Sequence, residues 1–293
     1  MNRRSGKDPK KERKEMVRIL VDSASDYSIA EAKEKGIFLV PIEITLAGNT
    51  YIEGKNLGRD EFYELLAKTK EFPKTAQPSP QTFLDYFLKV KEAGDELVCI
   101  LLSSTLSGTF QSAVLAKQMA EYDKIYLVDS LSATHPIKVL ADYALKLASE
   151  GLPGSQIAEE VKKLQPRTRF AAAIDTLEYL QRGGRIGKAA ALVGGLARLK
   201  PIITLSKEGT LEVLGKCLGR NKAISFLIHH LKEQKLNPAF PLYSIYTYGS
   251  INSDLFEKRL AAEGFSIQGR YQVGSTIGAH VGPEAFGIVY VTE

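Results

Sequence analysis

Residues 96–109 read ELVCILLSSTLSGT, and the junction inside that stretch decides the fold class. Glu96–Leu102 is a short apolar run rich in Val, Ile and Leu, of the kind that forms a strand buried on both faces of a parallel sheet. Ser103–Thr109 follows with five hydroxyl residues in seven positions. A helical pattern begins directly after it, at 109–121. Where a strand hands over to a helix, hydroxyls and unpaired backbone N–H groups converge, and the helix dipole adds positive potential. That combination makes an anion site. Helix capping by itself accounts for one or two of the hydroxyls.

The same alternation extends in both directions. Val17–Asp22, Ile37–Ile44 and Ile125–Val128 are further apolar runs, with helical patterns at 59–69, 80–92 and 136–150 between and after them. This order predicts an α/β fold whose N-terminal part is an open, mostly parallel sheet with flanking helices. Ligands on such sheets gather beyond the carboxyl ends of the strands. The segment Gly151-Leu152-Pro153-Gly154 breaks the pattern before a helix to about Leu164. A boundary is placed near Pro166, giving an N-terminal α/β domain over 16–165 and a C-terminal α+β domain over 166–293. The second half reads as a strand at Arg169–Ile174, a Gly-rich helical segment through Lys200, and a hairpin across Ser206–Gly209. A helix at 220–234, a strand at 242–247, a helix at 253–263 and strands near 265–273 and 286–292 complete it.

Composition sets limits. The 293 residues are 44% hydrophobic and 25% charged, an ordinary globular balance. No apolar run approaches the ~18 residues of a membrane span, so no stable membrane insertion is expected. The formal charge is +5, but residues 1–15 hold seven Lys or Arg against three Asp or Glu. The remainder is therefore near neutral, and 1–15 reads as a flexible basic tail rather than a nucleic-acid arm. It has no apolar stretch behind it and is not a secretory signal. Cys99 and Cys217 are the only cysteines. Two thiols without CxxC spacing argue against disulfides or zinc, and a cytoplasmic location is expected.

Three further segments carry possible chemistry. Pro73–Pro80 (PKTAQPSP) frames Thr75 between prolines and predicts a stiff loop before a helix. Gly274–Pro283 (GSTIGAHVGP) sets His280 among glycines that permit close backbone approach. An imidazole there can donate a hydrogen bond to a carboxylate. Glu178–Ile186 (EYLQRGGRI) holds glycines but neither the GxxxxGK[ST] nor the GxGxxG pattern, so no nucleotide site is read. From Arg182 to Lys222 there are nine Lys or Arg and two acids, a band able to steer an acidic partner. Paired catalytic carboxylates, a GxSxG elbow, HExxH and Cys/His clusters are all missing, so no metal, no cofactor and no catalytic residue is assigned.

Taken together, the chain resembles the DegV family of fatty-acid-binding proteins. The resemblance rests on ILVDSASD (19–26), PKTAQPSP (73–80), SSTLSGTFQSA (103–113), LEYLQRGGRIGK (177–188) and IGAHVGPEAFGI (277–288), in family order across residues 16–293. It implies a carrier, not an enzyme, that buries the tail of a long-chain fatty acid and presents the carboxylate to a separate fatty acid kinase. Acyl phosphate for phospholipid synthesis would be made there. Carried over by motif, Thr75, Ser104 and His280 would hold the carboxylate, while Arg185 and Arg220 would dock the kinase. Two positions depart from the family pattern: Ala76 stands where Ser is usual, and Glu284 where Gly is usual. Two other readings stay open. One is a small-ligand phosphotransfer enzyme, since the α/β half also resembles the substrate-binding part of dihydroxyacetone kinases. The other is a non-catalytic interaction protein using the 182–222 band.

Overall fold

The computed structural model describes residues 15–192 and 199–293. The basic tail expected over 1–15 therefore lies outside the described residues except for Glu15, as does part of the Gly-rich segment before Lys200.

The first half runs β1 (Val17–Asp22), α1 (Ile29–Glu34), β2 (Phe38–Val40), β3 (Glu43–Leu46), β4 (Asn49–Tyr51) and α2 (Arg59–Lys68). It continues with β5 (Lys74–Ala76), α3 (Pro80–Ala93), β6 (Glu96–Leu101), α4 (Thr109–Ala120), β7 (Ile125–Asp129), α5 (His135–Ser149) and α6 (Gly154–Leu164). The second half runs β8 (Thr168–Ala173), α7 (Glu178–Arg182), β9 (Leu199–Leu205), β10 (Leu211–Leu218) and α8 (Arg220–Lys232). It ends with β11 (Leu242–Tyr246), α9 (Ile251–Ala262), β12 (Ile267–Gln272), α10 (Ser275–Val281) and β13 (Phe286–Val291).

Four strands form a parallel sheet in the order β2-β1-β6-β7, as the apolar runs predict. Their side chains are buried on both faces because helices cover both. Leu20, Leu97 and Cys99 face the α3–α4 layer, whereas Ile19, Val21 and Ile100 face α5 and α6. A second, six-stranded sheet has the order β10-β9-β8-β13-β11-β12 and is antiparallel except for the β11–β12 pair. Alternation splits its residues cleanly. Ala171, Ala173, Ile202 and Ile288 pack with Leu227 of α8 and Phe256 of α9. Ala172, Ile203, Ile245 and Val289 turn the other way, into the core shared with the parallel layer.

The run Ile37–Ile44 is two strands, not the single one expected. Pro41 lacks an N–H for the ladder, and the next amide, Ile42 N, donates to Ser23 Oγ at 2.9 Å. The chain therefore leaves the parallel sheet, and β3 joins a small antiparallel sheet of order β4-β3-β5. In that sheet Ile44 pairs with Thr75, so Thr75 lies on a strand edge-to-edge with β3 rather than on a loop. The segment around His280, to which the sequence assigns no element, is helical over Ser275–Val281.

Candidate functional site

Between the parallel layer and the inner face of the six-stranded sheet lies a cavity with a mostly apolar lining. Its deep wall is apolar: Phe170, Ala172 and Ile174 from β8 and its end, Ile203 and Leu205 from β9, and Ile245 from β11. These are the side chains that the sheet's alternation turns inward.

Polar groups collect where Thr75, Ser107, Arg185 and His280, all half-buried, reach the wall. Thr75 Oγ1 and His280 Nε2 are 2.9 Å apart. The ring is on α10, whose close packing needs its glycines. A Cβ on Gly278 would stand 2.3 Å from Tyr63 Oη, and one on Gly183 would stand 2.4 Å from His280 Nδ1. That Nδ1 is buried and lacks a hydrogen-bond partner among the described residues. Burial, with Arg185 as a smaller cause, pushes the imidazole pKa down to about 4. At neutral pH His280 is therefore uncharged, with one N–H to give. The guanidinium of Arg185 is the fixed positive charge at this end.

Arg185, which the resemblance assigns to kinase docking, is tied down at the cavity wall. Its Nε donates to Leu106 O at 3.0 Å and its Nη1 to Gly183 O at 2.6 Å, which ties the 183–185 turn to the β6–α4 loop. Arg220 stands elsewhere. It lines a separate depression with Lys200, Asn252 and Glu284, and its Nη1 donates to Asn252 Oδ1 at 3.2 Å. Glu284 belongs to that depression rather than to the cavity end holding His280, and it is exposed.

Ser104 is not brought to the site. It is exposed, and its N–H points to the Asp129 carboxylate at 3.2 and 3.3 Å. Ser107, three residues on, lines the cavity together with Leu106. The reason lies in the turn at the end of β6. Leu106 N and Ser107 N both donate to Ser103 O, which folds 104–105 outward and 106–107 inward. Ser107 Oγ lies 2.8 Å from Thr109 Oγ1 and accepts from Thr109 N, and other hydroxyls of the segment are also engaged locally. Ser103 Oγ and Thr105 Oγ1 both donate to Gly209 O, at 3.0 and 2.6 Å, fastening the β9–β10 hairpin. Sequence reasoning did not single out Ser107 or place Arg185 on the cavity wall. The spacing of hydroxyls alone cannot say which of them a turn points inward.

Among the described residues no cluster of three or more His, Cys, Asp or Glu is placed to hold a metal. No described helix is long and apolar enough to cross a membrane.

Comparison with known proteins gives concordant matches. The model of the DegV family, described as an uncharacterised protein family, matches residues 16–293. A DegV domain-containing protein of Caldanaerobacter subterraneus is 34% identical over 284 residues, covering 94% of this chain and 99% of that protein. A Thermus thermophilus structure described as fatty-acid binding by a DegV family protein superposes with TM-score 0.85. It is 27% identical and covers 95% of this chain and 100% of its own. A stearic-acid-binding protein of Eubacterium ventriosum superposes with TM-score 0.84 at 27% identity, covering 94% and 98%.

Proposed function

This chain belongs to the DegV family, and from that premise we propose that it binds a long-chain fatty acid, with the tail in the cavity and the carboxylate at Thr75, Ser107, Arg185 and His280. The observation that carries this reading is one largely apolar cavity with Thr75, Ser107, Arg185 and His280 on its wall. A C16 tail gains on the order of 0.8 kcal/mol per buried CH₂, roughly 12 kcal/mol gross. A buried carboxylate costs several kcal/mol unless it is hydrogen-bonded. Two hydroxyls, an imidazole N–H and the charge of Arg185 offset that cost through charge-assisted bonds. The solved relatives from Thermus thermophilus and Eubacterium ventriosum, described as binding fatty acids, support the same ligand class.

The role is that of a carrier, with presentation of the carboxylate to a fatty acid kinase as the finer reading. Arg220, Lys200 and the exposed Leu218 around the second depression offer a docking face for that partner. Organic extraction of the purified protein followed by mass spectrometry tests the ligand. A protein that arrives empty, and takes up no fatty acid when offered it, would refute the carrier reading.

A further inference from the structure

α10 carries His280, yet seven residues are too few for a helix to hold its own shape. What holds it comes from the first half of the chain. Gly274 N donates to Asp26 Oδ1 at 2.9 Å. Ser275 donates to Glu53 Oε2 through both its N–H and its Oγ, the latter at 2.5 Å. Thr276 Oγ1 meets Ser23 Oγ at 3.0 Å, and Tyr63 Oη donates to Val273 O at 2.9 Å. Arg59 locks the two acids in place. Its Nε donates to Glu53 Oε1 at 2.7 Å, its Nη2 to Asp26 O at 2.8 Å, and its Nη1 to Gln272 O at 2.6 Å.

Several features exceed what a helix cap requires. One exposed Ser or Asn satisfies a helix start, whereas here two acids and an arginine are drawn largely out of solvent to do it. Asp26 itself sits at φ 64, and Thr134, which donates to Asp26 Oδ2 and lines the cavity, sits at φ 59. Non-glycine residues keep such conformations only where their surroundings over-determine them. Asp26 thus joins the cavity wall at Thr134 to the start of the helix that carries His280.

We propose that Asp26 and Glu53, clamped by Arg59, are positioning residues of the carboxylate site: by holding the first N–H groups of α10 they fix His280 opposite Thr75. For ligand binding this rests on the fatty-acid reading above, but the placement of the ring is testable without a ligand. In ligand-free protein, the histidine resonances are followed by NMR against pH in the parent, Glu53→Gln, Asp26→Asn and the milder Ser275→Ala. Arg185 is the charged neighbour acting on the ring, and it is kept in every variant. Loosening α10 lets water reach the ring, so the His280 midpoint should rise by about one pH unit toward the ordinary imidazole value. An unchanged midpoint in folded Glu53→Gln and Ser275→Ala would overturn the proposal.

Palmitate titration supplies the second arm. Glu53→Gln should weaken palmitate binding about tenfold in the parent and have little effect in a His280→Ala background, because the two changes act on one contact. Equal losses in both backgrounds would reduce Glu53 to a general stabiliser and overturn its positioning role. If the parent binds no palmitate, the ligand reading fails, and the NMR arm still decides the positioning.

Discussion

Thr75 and His280 stand 205 residues apart in the sequence and 2.9 Å apart in space. β5 brings one and α10 the other, so the pair exists only in the folded chain. Each should weaken fatty-acid binding when lost, because the remaining partner faces the ligand carboxylate alone. Thr75→Val and His280→Ala are each expected to cost about 1–3 kcal/mol of binding, measured by titration with palmitate. Full affinity in both variants would remove the pair from the carboxylate site.

The turn after β6 separates two serines that the motif alone cannot. Ser107 lines the cavity and Ser104 faces solvent beside Asp129. Ser107→Ala should therefore weaken binding by about 1 kcal/mol, the net worth of one hydrogen bond. Ser104→Ala should leave it unchanged. The reverse ranking in the same titration would return the site to Ser104.

Glu284 occupies a left-handed backbone conformation, φ 62, where a side chain is strained. Glu284→Gly should raise stability by about 1 kcal/mol, because the strain of 1–3 kcal/mol is partly offset by the greater freedom of glycine in the unfolded chain. Fatty-acid affinity should not change, as Glu284 lines the other depression. Thermal unfolding checks the first statement, and a lower melting temperature would contradict it.

His135 is buried against the rings of Tyr243 and Tyr271, and its Nδ1 has no hydrogen-bond partner among the described residues. Burial, helped by Lys138, pushes its pKa down to about 3. The unfolded chain takes up this proton below ~6.5, the folded chain only below about 3, so the stability is complete above 6.5 and is lost as pH falls through that window. At pH 5 the loss from this residue is about 2 kcal/mol. His135→Phe should flatten that part of the stability–pH curve. Parallel curves for parent and variant between pH 7 and 4.5 would contradict it.

The parts of the fold that were legible were those where one local rule governs. Val17–Asp22 reads as a strand because burial on both faces demands an unbroken apolar run. Arg220–Lys232 reads as a helix from its periodicity. What escaped depended on partners distant in sequence. Pro41 ends a strand only because Ser23 is there to take the next amide. Thr75 becomes a strand residue because β3 pairs with it. The glycines of 274–282 read as permitting close approach, but that Tyr63 is what presses on Gly278, and that the segment is a helix, comes only from the fold. At the site, the family motifs pointed to Thr75, Ser104 and His280, of which the fold brings Thr75 and His280 together. The inward turn of Ser107, the tethering of Arg185 and the clamp of Asp26, Glu53 and Arg59 are set by tertiary geometry that spacing does not encode.

The cavity's proposed role is to hold an acyl chain. It is tested most directly by extracting protein purified from bacterial cells with organic solvent and identifying the released molecules by mass spectrometry. The expected result is a long-chain fatty acid at close to one molecule per chain, reduced in Thr75→Val/His280→Ala protein prepared in parallel. Parent protein that releases no fatty acid, and that takes up none after incubation with palmitate or oleate, would contradict it.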